Sequence, residues 1–360
     1  MKKTALFLIV FAILLFNGCV PTPEPPATET PTTAAPTDTP EASPSFMDKP
    51  SAEDIRLFNY NVNWDAIFPD GDPENHDWRE ADKSEAFKRL IAAVSPDIAC
   101  LQEINPDRNP AEVADIFDEV LPLDGGAHWY AISDYDTVIV SRYELLTDGF
   151  TLYVPPAANY LSQAAALVDL PDVAYSQGDF YLICAHFKSS GDQASINRRQ
   201  DQADTIIRQV ADLRTPGDHI DLPANTPFVF AGDFNVYNTD PAHHLETLVT
   251  GDIDDENQFG ADIQPDWDDT WLTDLLPSHQ DEGEFFYTWR DDSDVFDPGP
   301  LDRIIYSDSV ITVTNSFILN TNALSPEQLS QYGLQAEDVL LVPESGVYDH
   351  FPMIADFTFP

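Results

Sequence analysis

Glu103, His186 and Asp233 each lie at the end of an apolar segment of the sequence. All three have side chains that can bind a metal or transfer a proton. A carboxylate can bind a hard cation or activate a water molecule, and an imidazole exchanges protons near neutral pH. Polar groups placed repeatedly at the ends of apolar strands predict one shared site.

The segment Gly232-Asp233-Phe234-Asn235 carries two polar side chains at a spacing of two. Residues two apart on a strand face the same side of the sheet, so we expect Asp233 and Asn235 to point the same way. Gly232 has no side chain and lets another group approach the backbone closely. This segment is therefore predicted to end a strand at the site.

Other candidates lie near the ends of further strands. Asn61 lies at the end of the first apolar segment, Asp302 begins another, and Asp349 and His350 precede the last. Each has a structural explanation when taken alone, because such groups often serve only as hydrogen-bonding residues at strand ends. The prediction of a site therefore depends on all of these residues occurring together, each near the end of a strand.

Short strands and a few helices must position these residues. Helices are predicted over Trp78–Val94 and Ser195–Leu213, each of which stops just before a proline-containing segment. The predicted strands are Ile55–Val62, Ile98–Gln102, Thr137–Ser141, Phe180–His186, Phe228–Ala231, Leu301–Ser307, Val310–Ile318 and Met353–Phe359. This alternation favours one large α/β domain with two sheets.

The ordered motifs resemble the endonuclease/exonuclease/phosphatase superfamily, with its deoxyribonuclease I-like fold, over residues 55–359. The main blocks are Asn61, Leu101-Gln102-Glu103, His186, Gly232-Asp233-Phe234-Asn235, Leu301-Asp302-Arg303-Ile304 and Asp349-His350. Lesser matches are Val138-Ile139-Val140-Ser141-Arg142 and Arg199-Gln200-Asp201-Gln202. The resemblance implies an α/β (α+β) fold, a four-layer αββα sandwich of two packed mixed β-sheets flanked by helices. One departure is Tyr348, where many relatives have serine.

The resemblance also implies a divalent metal that assists hydrolysis of a phosphoester by water. Mg2+ is the expected ion, with Mn2+ or Ca2+ as alternatives. Glu103 would be the principal ligand, Asn61 would contact the metal or the phosphate, and Asp349 would complete metal or water binding. Magnesium prefers oxygen ligands and retains several waters, so one or two carboxylates are enough.

Five catalytic residues follow from the same resemblance. Asp233 would orient or deprotonate the attacking water, and Asn235 would hold the water or the phosphate. Asp302 would pair with His350, and His186 would contact the phosphoryl oxygens. An imidazole that is kept charged by a neighbouring carboxylate can neutralise charge that develops on a phosphoryl group.

Composition limits the partners. The protein has 17 Lys+Arg against 63 Asp+Glu, a formal charge of −46, which excludes a protein that wraps nucleic acid with a broad basic face. The cations in or beside the motif blocks are Arg142, Lys188, Arg198, Arg199 and Arg303. We predict that they form a small positive island, with Arg142, Lys188 and Arg199 binding the substrate phosphate. The alternative is that they pair with neighbouring aspartates.

The N-terminus reads as an export signal over residues 1–19. A positive start precedes the apolar segment Ala5–Phe16, which is shorter than the roughly 20 residues that span a bilayer. Leu15-Phe16-Asn17-Gly18-Cys19 resembles a lipobox, although Phe16 and Asn17 depart from the usual types. We predict lipidation at Cys19, and hence an exported protein anchored on the outer face of the cytoplasmic membrane or in the cell envelope, with extracellular release as an alternative.

Residues 20–50 are rich in proline and threonine and are predicted to be a disordered linker, followed by one domain over residues 51–360. Cys100 and Cys184 lie within apolar segments of that domain. Burial as small hydrophobic residues is favoured, and a disulfide is the alternative in an oxidising compartment.

The sequence is compatible with two classes of function and with several substrates. The first class is a metal-dependent phosphoesterase, a monomer that acts on nucleic acid, a phospholipid head group or a small phosphate ester. The second is a surface binding protein that retains the fold without catalysis. Aromatic residues at Trp271, Phe285, Phe286, Tyr287 and Trp289 either line a substrate cleft or pack in the core.

Overall fold

The computed structural model describes most of the residues after position 44. The described ranges are 45–69, 82–147, 162–175, 178–217, 219–236, 243–280, 283–293, 296–343 and 346–359. The predicted signal peptide with Cys19, and the linker up to residue 44, lie outside the described residues. Within these ranges, no helix is both long and apolar enough to cross a membrane.

Two six-stranded sheets form the centre of the molecule. Their strands are β1 (Ile55–Asn61), β2 (Ile98–Gln102), β3 (Tyr130–Asp134), β4 (Thr137–Ser141), β5 (Glu144–Leu146), β6 (Gln163–Asp169), β7 (Phe180–His186), β8 (Phe228–Asp233), β9 (Thr273–Leu275), β10 (Asp302–Tyr306), β11 (Thr312–Ile318) and β12 (Met353–Thr358). The first sheet has the order β11-β12-β1-β2-β4-β3 and the second the order β5-β6-β7-β8-β10-β9. Each sheet is antiparallel except for one central parallel pair, β1 with β2 and β7 with β8.

Helices cover the outer faces of both sheets. They are α1 (Ser84–Val94), α2 (Pro110–Val120), α3 (Gln193–Arg214), α4 (His244–Thr250), α5 (Glu256–Phe259) and α6 (Pro326–Tyr332), with short 3-10 turns at Asp124–Gly126, Thr321–Ala323 and Ala336–Val339. The apolar side chains of α1 and α2 pack with the first sheet, and those of α3 pack with the second. This arrangement confirms the predicted four-layer αββα sandwich.

Burial on both faces explains why the central strands have continuous apolar sequences. In β7, Tyr181 and Ile183 pack against α3, whereas Leu182 and Cys184 belong to the layer between the two sheets. Alternate residues of a strand face opposite sides, so neither side of this strand can be polar. Cys184 and Cys100 are both free thiols with no exposed surface, which agrees with their favoured role as small buried residues.

The folded region includes part of the segment that was predicted to be linker. Ser45–Pro50 lie against the domain, and Met47 is 5% exposed. The Met47 carbonyl accepts a 2.7 Å hydrogen bond from Arg56, whose guanidinium also makes a bidentate ion pair with Asp356 at 2.6 and 2.7 Å. The predicted boundary after residue 50 is therefore too late, because a buried arginine needs the backbone acceptors that this segment supplies.

Candidate active site

The candidate site lies at one edge of the sandwich, where the parallel pairs of both sheets end. Asn61 is the last residue of β1, and Glu103 directly follows β2. His186 and Asp233 are the last residues of β7 and β8 and lie opposite each other in the ladder. Parallel strands end at the same edge, so the fold delivers these four polar side chains to a common place.

Gly232 lets β7 and β8 approach at this edge. A Cβ atom at position 232 would lie 1.9 Å from the carbonyl oxygen of Ala185, which is far inside any normal contact. The predicted close approach at Gly232 is thus confirmed. It brings Asp233 beside His186.

Asp233 is the centre of the cluster. Its Oδ2 accepts a 3.2 Å hydrogen bond from Asn61 Nδ2 and lies 3.8 Å from His186 Nε2 and 3.6 Å from His350 Nε2. The same Asn61 amide donates to Glu103 Oε1 at 3.0 Å. Asn61 therefore orients two carboxylates at once.

Two histidine–aspartate pairs connect the sheets. His350 Nδ1 lies 2.8 Å from Asp302 Oδ2, and His186 Nδ1 lies 2.8 Å from Asp136 Oδ2. Asp302 and His186 belong to the second sheet, whereas Asp136 and His350 adjoin strands of the first. In both pairs the carboxylate holds the proton on Nδ1, so Nε2 is the atom that faces Asp233.

These carboxylates keep the two imidazoles charged. Burial lowers the pKa of His186, but the carboxylates around it, Asp136 foremost, raise the pKa overall to about 9. Burial also disfavours charge on His350, yet the attraction of Asp302 and Asp233 outweighs it, so the pKa of His350 lies well above its ordinary value. The site therefore presents two imidazolium groups to Asp233 near neutral pH.

Glu103 and Asp349 form an acidic pair whose nearest cationic neighbour is an imidazole, with His186 Nε2 lying 4.0 Å from Glu103 Oε1. Burial, opposed by His186 and reinforced by Asp349, raises the pKa of Glu103 to about 7. Asp349 accepts hydrogen bonds from two neutral donors, Asn63 Nδ2 at 3.0 Å and Trp289 Nε1 at 3.1 Å. Within the described part of the protein, no lysine or arginine pairs with either carboxylate.

The donor set suits a divalent cation. The five acids of the site, Asp136, Asp233, Asp302, Glu103 and Asp349, face only two imidazoles, which leaves an excess of three negative charges when all are ionised. Among the described residues, no three His, Cys, Asp or Glu side chains are grouped tightly enough to hold a metal by themselves. Mg2+ needs only one or two carboxylates because it retains several waters, so Glu103 and Asp349 fit this ion.

Strained backbone is concentrated at the site. Asn63, Trp64 and Asp65 have φ values of 55°, 40° and 60°, and Glu103 and Asn235 have values of 62° and 49°. Such conformations are costly for residues other than glycine, and they persist where the surrounding structure holds them in place. Here the Asp65 amide donates to the Glu103 carbonyl at 3.0 Å. The strain therefore marks a pre-organised site.

Asn235 reaches the site differently from the expectation. β8 ends at Asp233, and the left-handed conformation of Asn235 interrupts the two-residue alternation. The Asn235 backbone amide donates to Asp233 Oδ1 at 2.9 Å, and its side-chain amide donates to the Phe187 carbonyl at 2.9 Å. Asn235 thus holds Asp233 from the side opposite to Asn61 Nδ2.

The predicted phosphate-binding island is not assembled. Arg142 pairs with Asp97 at 3.0 Å, at the opposite end of β2 from Glu103. Arg199 is fully buried and donates to the carbonyls of Lys188 and Ser190 at 2.6 and 2.8 Å, so it shapes a loop and has no exposed surface.

The remaining cations of that set are also not grouped at the site. Arg303 is 6% exposed and pairs with Asp274 at 3.0 Å, and Arg198 lies beside Asp201. Lys188 is exposed and forms no ion pair with the residues that the structure describes, and it comes two residues after His186. For Arg142 and Arg303 the deciding partners are Asp97 and Asp274, which lie far away in the sequence and cannot be read from the local pattern.

Three residues of the site were not among the predicted ligands or catalytic groups. Asp136 belongs to the tight turn between β3 and β4, Asn63 follows β1, and Trp289 lies in the loop before β10. A signal existed for Asp136, because it directly precedes the apolar strand β4. Only the packing of the two sheets brings it to His186.

Comparison with known proteins agrees with this geometry. The family model described as "Endonuclease/Exonuclease/phosphatase family" matches residues 58–323. No curated protein sequence matches significantly. Among solved structures, D. rerio TDP2 complexed with single strand DNA product is similar at a TM-score of 0.50 and 14% identity, covering 85% of this protein and 99% of the other. The endonuclease/exonuclease/phosphatase from Bacteroides vulgatus is similar at 0.50 and 17%, covering 85% and 99%.

The family model covers well over half of the sequence, and the structural similarities, which lie below 25% identity, show the shared fold. The protein belongs to the Endonuclease/Exonuclease/phosphatase family, whose members hydrolyse phosphoester bonds.

Proposed function

We propose that this protein is a metal-dependent phosphoesterase that hydrolyses its substrate by direct attack of water. One observation carries the proposal. Asp233 Oδ2 lies between two imidazoles, each held by a buried carboxylate, next to the acidic pair Glu103 and Asp349. Phosphoryl transfer requires positioning and charge neutralisation more than covalent chemistry, and this arrangement supplies both.

The roles follow from the contacts. Asp233 orients the attacking water and accepts its proton, while the Asn61 amide and the Asn235 backbone fix the direction of its carboxylate. The charged His186 and His350 present Nε2–H groups toward the phosphoryl oxygens and neutralise charge there. A magnesium ion held by Glu103 and Asp349 would supply further charge neutralisation.

Hydrolysis of bis-p-nitrophenyl phosphate with and without Mg2+ tests the proposal. Glu103→Gln and Asp302→Asn should each reduce kcat/KM by at least about 100-fold, because one removes a metal ligand and the other the carboxylate that keeps His350 charged. Glu327→Gln, an exposed acid on α6, is the matched control and should leave the rate unchanged. No metal-dependent hydrolysis by the wild type, or full activity in both site variants, would instead favour a binding protein without catalysis.

The substrate class is addressed by a panel of single-stranded and duplex DNA, RNA, phospholipid vesicles and nucleotides. A single-stranded nucleic acid is the first candidate, since D. rerio TDP2, of the same fold, is seen with a single strand DNA product. The charge of −46 argues against a duplex bound through many phosphate contacts. Hydrolysis of vesicle lipids alone would redirect the proposal to phospholipids.

We also propose that the protein is exported and lipid-anchored through Cys19. The support is the N-terminal sequence alone, with its positive start, its apolar segment and its lipobox-like end. Mass spectrometry of the mature N-terminal peptide should find a lipidated cysteine, and Cys19→Ala should move the protein from the membrane fraction to the soluble fraction. An unmodified peptide that begins upstream of residue 19 would refute the anchor. Size-exclusion chromatography with light scattering tests the predicted monomer.

A further inference from the structure

A cleft of about 500 Å³ is lined by residues that include two sequence neighbours of the candidate site, Tyr348 next to Asp349 and Arg290 next to Trp289. Aromatic and polar side chains line it, among them Phe285, Tyr287, Arg290, Asp292, Asn322 and Tyr348. The catalytic machinery described above involves none of these six side chains. The cleft is therefore a second feature of this edge of the molecule.

The wall of the cleft is bonded directly to site residues. The Arg290 backbone amide donates to the Asp349 carbonyl at 3.0 Å, and the neighbouring Trp289 indole donates to the Asp349 carboxylate. Thr288 Oγ1 accepts from the Asp302 amide at 2.8 Å, and Tyr348 directly precedes Asp349. The wall of the cleft is thus tied to the backbone and side chains of Asp302 and Asp349.

Sheet topology places part of the cleft beyond the end of a neighbouring strand. Asn322 lies in the turn Thr321–Ala323, which comes after β11, and β11 lies two strands away from β1 in the first sheet. Strands are spaced at about 4.8 Å, so β11 itself runs roughly 10 Å from β1, the strand that ends at Asn61.

The charge in the cleft is balanced. Arg290 makes a bidentate pair with Asp292, at 2.7 and 2.9 Å, and its guanidinium lies 4.9 Å from the centre of the Tyr348 ring. A guanidinium that is already paired in this way offers little to a further phosphate. The same positive group over Tyr348 disfavours a quaternary ammonium such as a choline head group. The cleft suits a neutral group.

The remaining surfaces suit a flat ring with polar edges. Phe285 is 45% exposed and packs at 5.8 Å from the Tyr287 ring. Asn322 Nδ2 donates to the Tyr348 hydroxyl at 2.6 Å, and its Oδ1 accepts no hydrogen bond from the described residues. Exposed aromatic faces stack on bases, and an amide oxygen can accept from a ring N–H or an exocyclic amine of a base.

We propose that this cleft binds the base of a nucleotide attached to the scissile phosphate, so that the substrate is a nucleotide ester or a single-stranded nucleic acid. This proposal rests on the proposed function and names its substrate class.

Two p-nitrophenyl esters with the same leaving group test the proposal. Thymidine 5′-p-nitrophenyl phosphate carries a base, and methyl p-nitrophenyl phosphate does not. Phe285→Ala should lower kcat/KM for the thymidine ester about 5-fold or more and leave the methyl ester unchanged, and Phe285→Trp should retain the preference. Tyr130→Ala is the matched control, because Tyr130 is 44% exposed and lies at the opposite edge of the first sheet.

Binding without hydrolysis separates the two proposals. Saturation-transfer NMR should show thymidine, but not ribose, bound to the metal-free protein, with the signal lost in Phe285→Ala. Thymidine binding without hydrolysis of either ester would support the base-binding role of the cleft and refute the proposal that the protein is a phosphoesterase. Hydrolysis of both esters with no effect of Phe285→Ala and no thymidine binding would overturn the cleft proposal alone, as would a Phe285 effect confined to phosphatidylcholine vesicles.

Discussion

Replacing Gly232 by alanine should separate the two central strands of the second sheet. A Cβ at this position would lie 1.9 Å from the Ala185 oxygen and 2.8 Å from its carbonyl carbon, whereas real Cβ contacts essentially never fall below 3.0 Å. The backbone of β7 or β8 must therefore move by at least 1.1 Å, the difference between 3.0 and 1.9 Å. Both strands are paired on either side, so neither moves freely.

Two effects set the expected loss of stability. Overpacking of this kind costs about 1–3 kcal/mol or more. An alanine at the φ of Gly232, +154°, adds roughly 1–3 kcal/mol of backbone strain. Gly260 allows the backbone strain to be measured without overpacking, because its φ is +100° and nothing lies within 4 Å of an added Cβ. Gly260→Ala should thus lose only the strain energy.

Urea unfolding followed by tryptophan fluorescence, with EDTA present, measures both variants. Gly232→Ala should lower the free energy of unfolding by about 1–3 kcal/mol more than Gly260→Ala does. It should also reduce hydrolysis per folded molecule, because β7 and β8 carry His186 and Asp233. A loss no larger than that of Gly260→Ala would refute the reasoning from close approach.

Three further perturbations test other parts of the structure. Arg56→Met leaves Asp356 buried without its ion pair and should lower the free energy of unfolding by about 3–5 kcal/mol in urea titrations. Mg2+ at about 100 times its Kd should raise the free energy of unfolding by about 2.7 kcal/mol, and Glu103→Gln should abolish this gain in thermal scans. The pKa of His186 is raised to about 9 in the folded protein, so the charged imidazole stabilises the fold fully below pH 6.5, and this contribution is lost as the pH rises through 9. With EDTA present, the free energy of unfolding should therefore fall over this pH range in the wild type and fall less in Asp136→Asn.

The fold was largely predictable where strands are buried on both faces. All eight predicted strands are present, with bounds that differ by at most two residues. β6 was missed because its sequence Gln-Ala-Ala-Ala-Leu-Val-Asp has weak β-propensity, and packing between β5 and β7 decides its conformation. β3 is mostly exposed, and its sequence Tyr-Ala-Ile-Ser-Asp lacks the continuous apolar run of a strand buried on both faces. α2 was missed although its start is readable in the sequence, as the Asn109 cap followed by Pro110.

In the candidate site too, features that depend on local sequence were predictable and contacts between distant segments were not. The sequence places Glu103, His186 and Asp233 correctly at strand ends because local periodicity determines where a strand stops. The Asp136 contact with His186 joins the two sheets, and the burial of Arg199 depends on loop carbonyls, so neither follows from local pattern. Long-range packing carries that information.

Both histidine–aspartate pairs connect one sheet to the other, and the Asn61–Asp233 hydrogen bond does the same. The distances in the site are consequently governed by how the sheets lie on each other, and small side chains such as Cys184 and Ala231 set that separation. Adding or removing one methylene in this layer shifts the site residues of one sheet relative to those of the other, although no residue of the site itself is changed. Laboratory evolution toward a new phosphoester should therefore accumulate substitutions in the layer between the sheets as well as in the cleft.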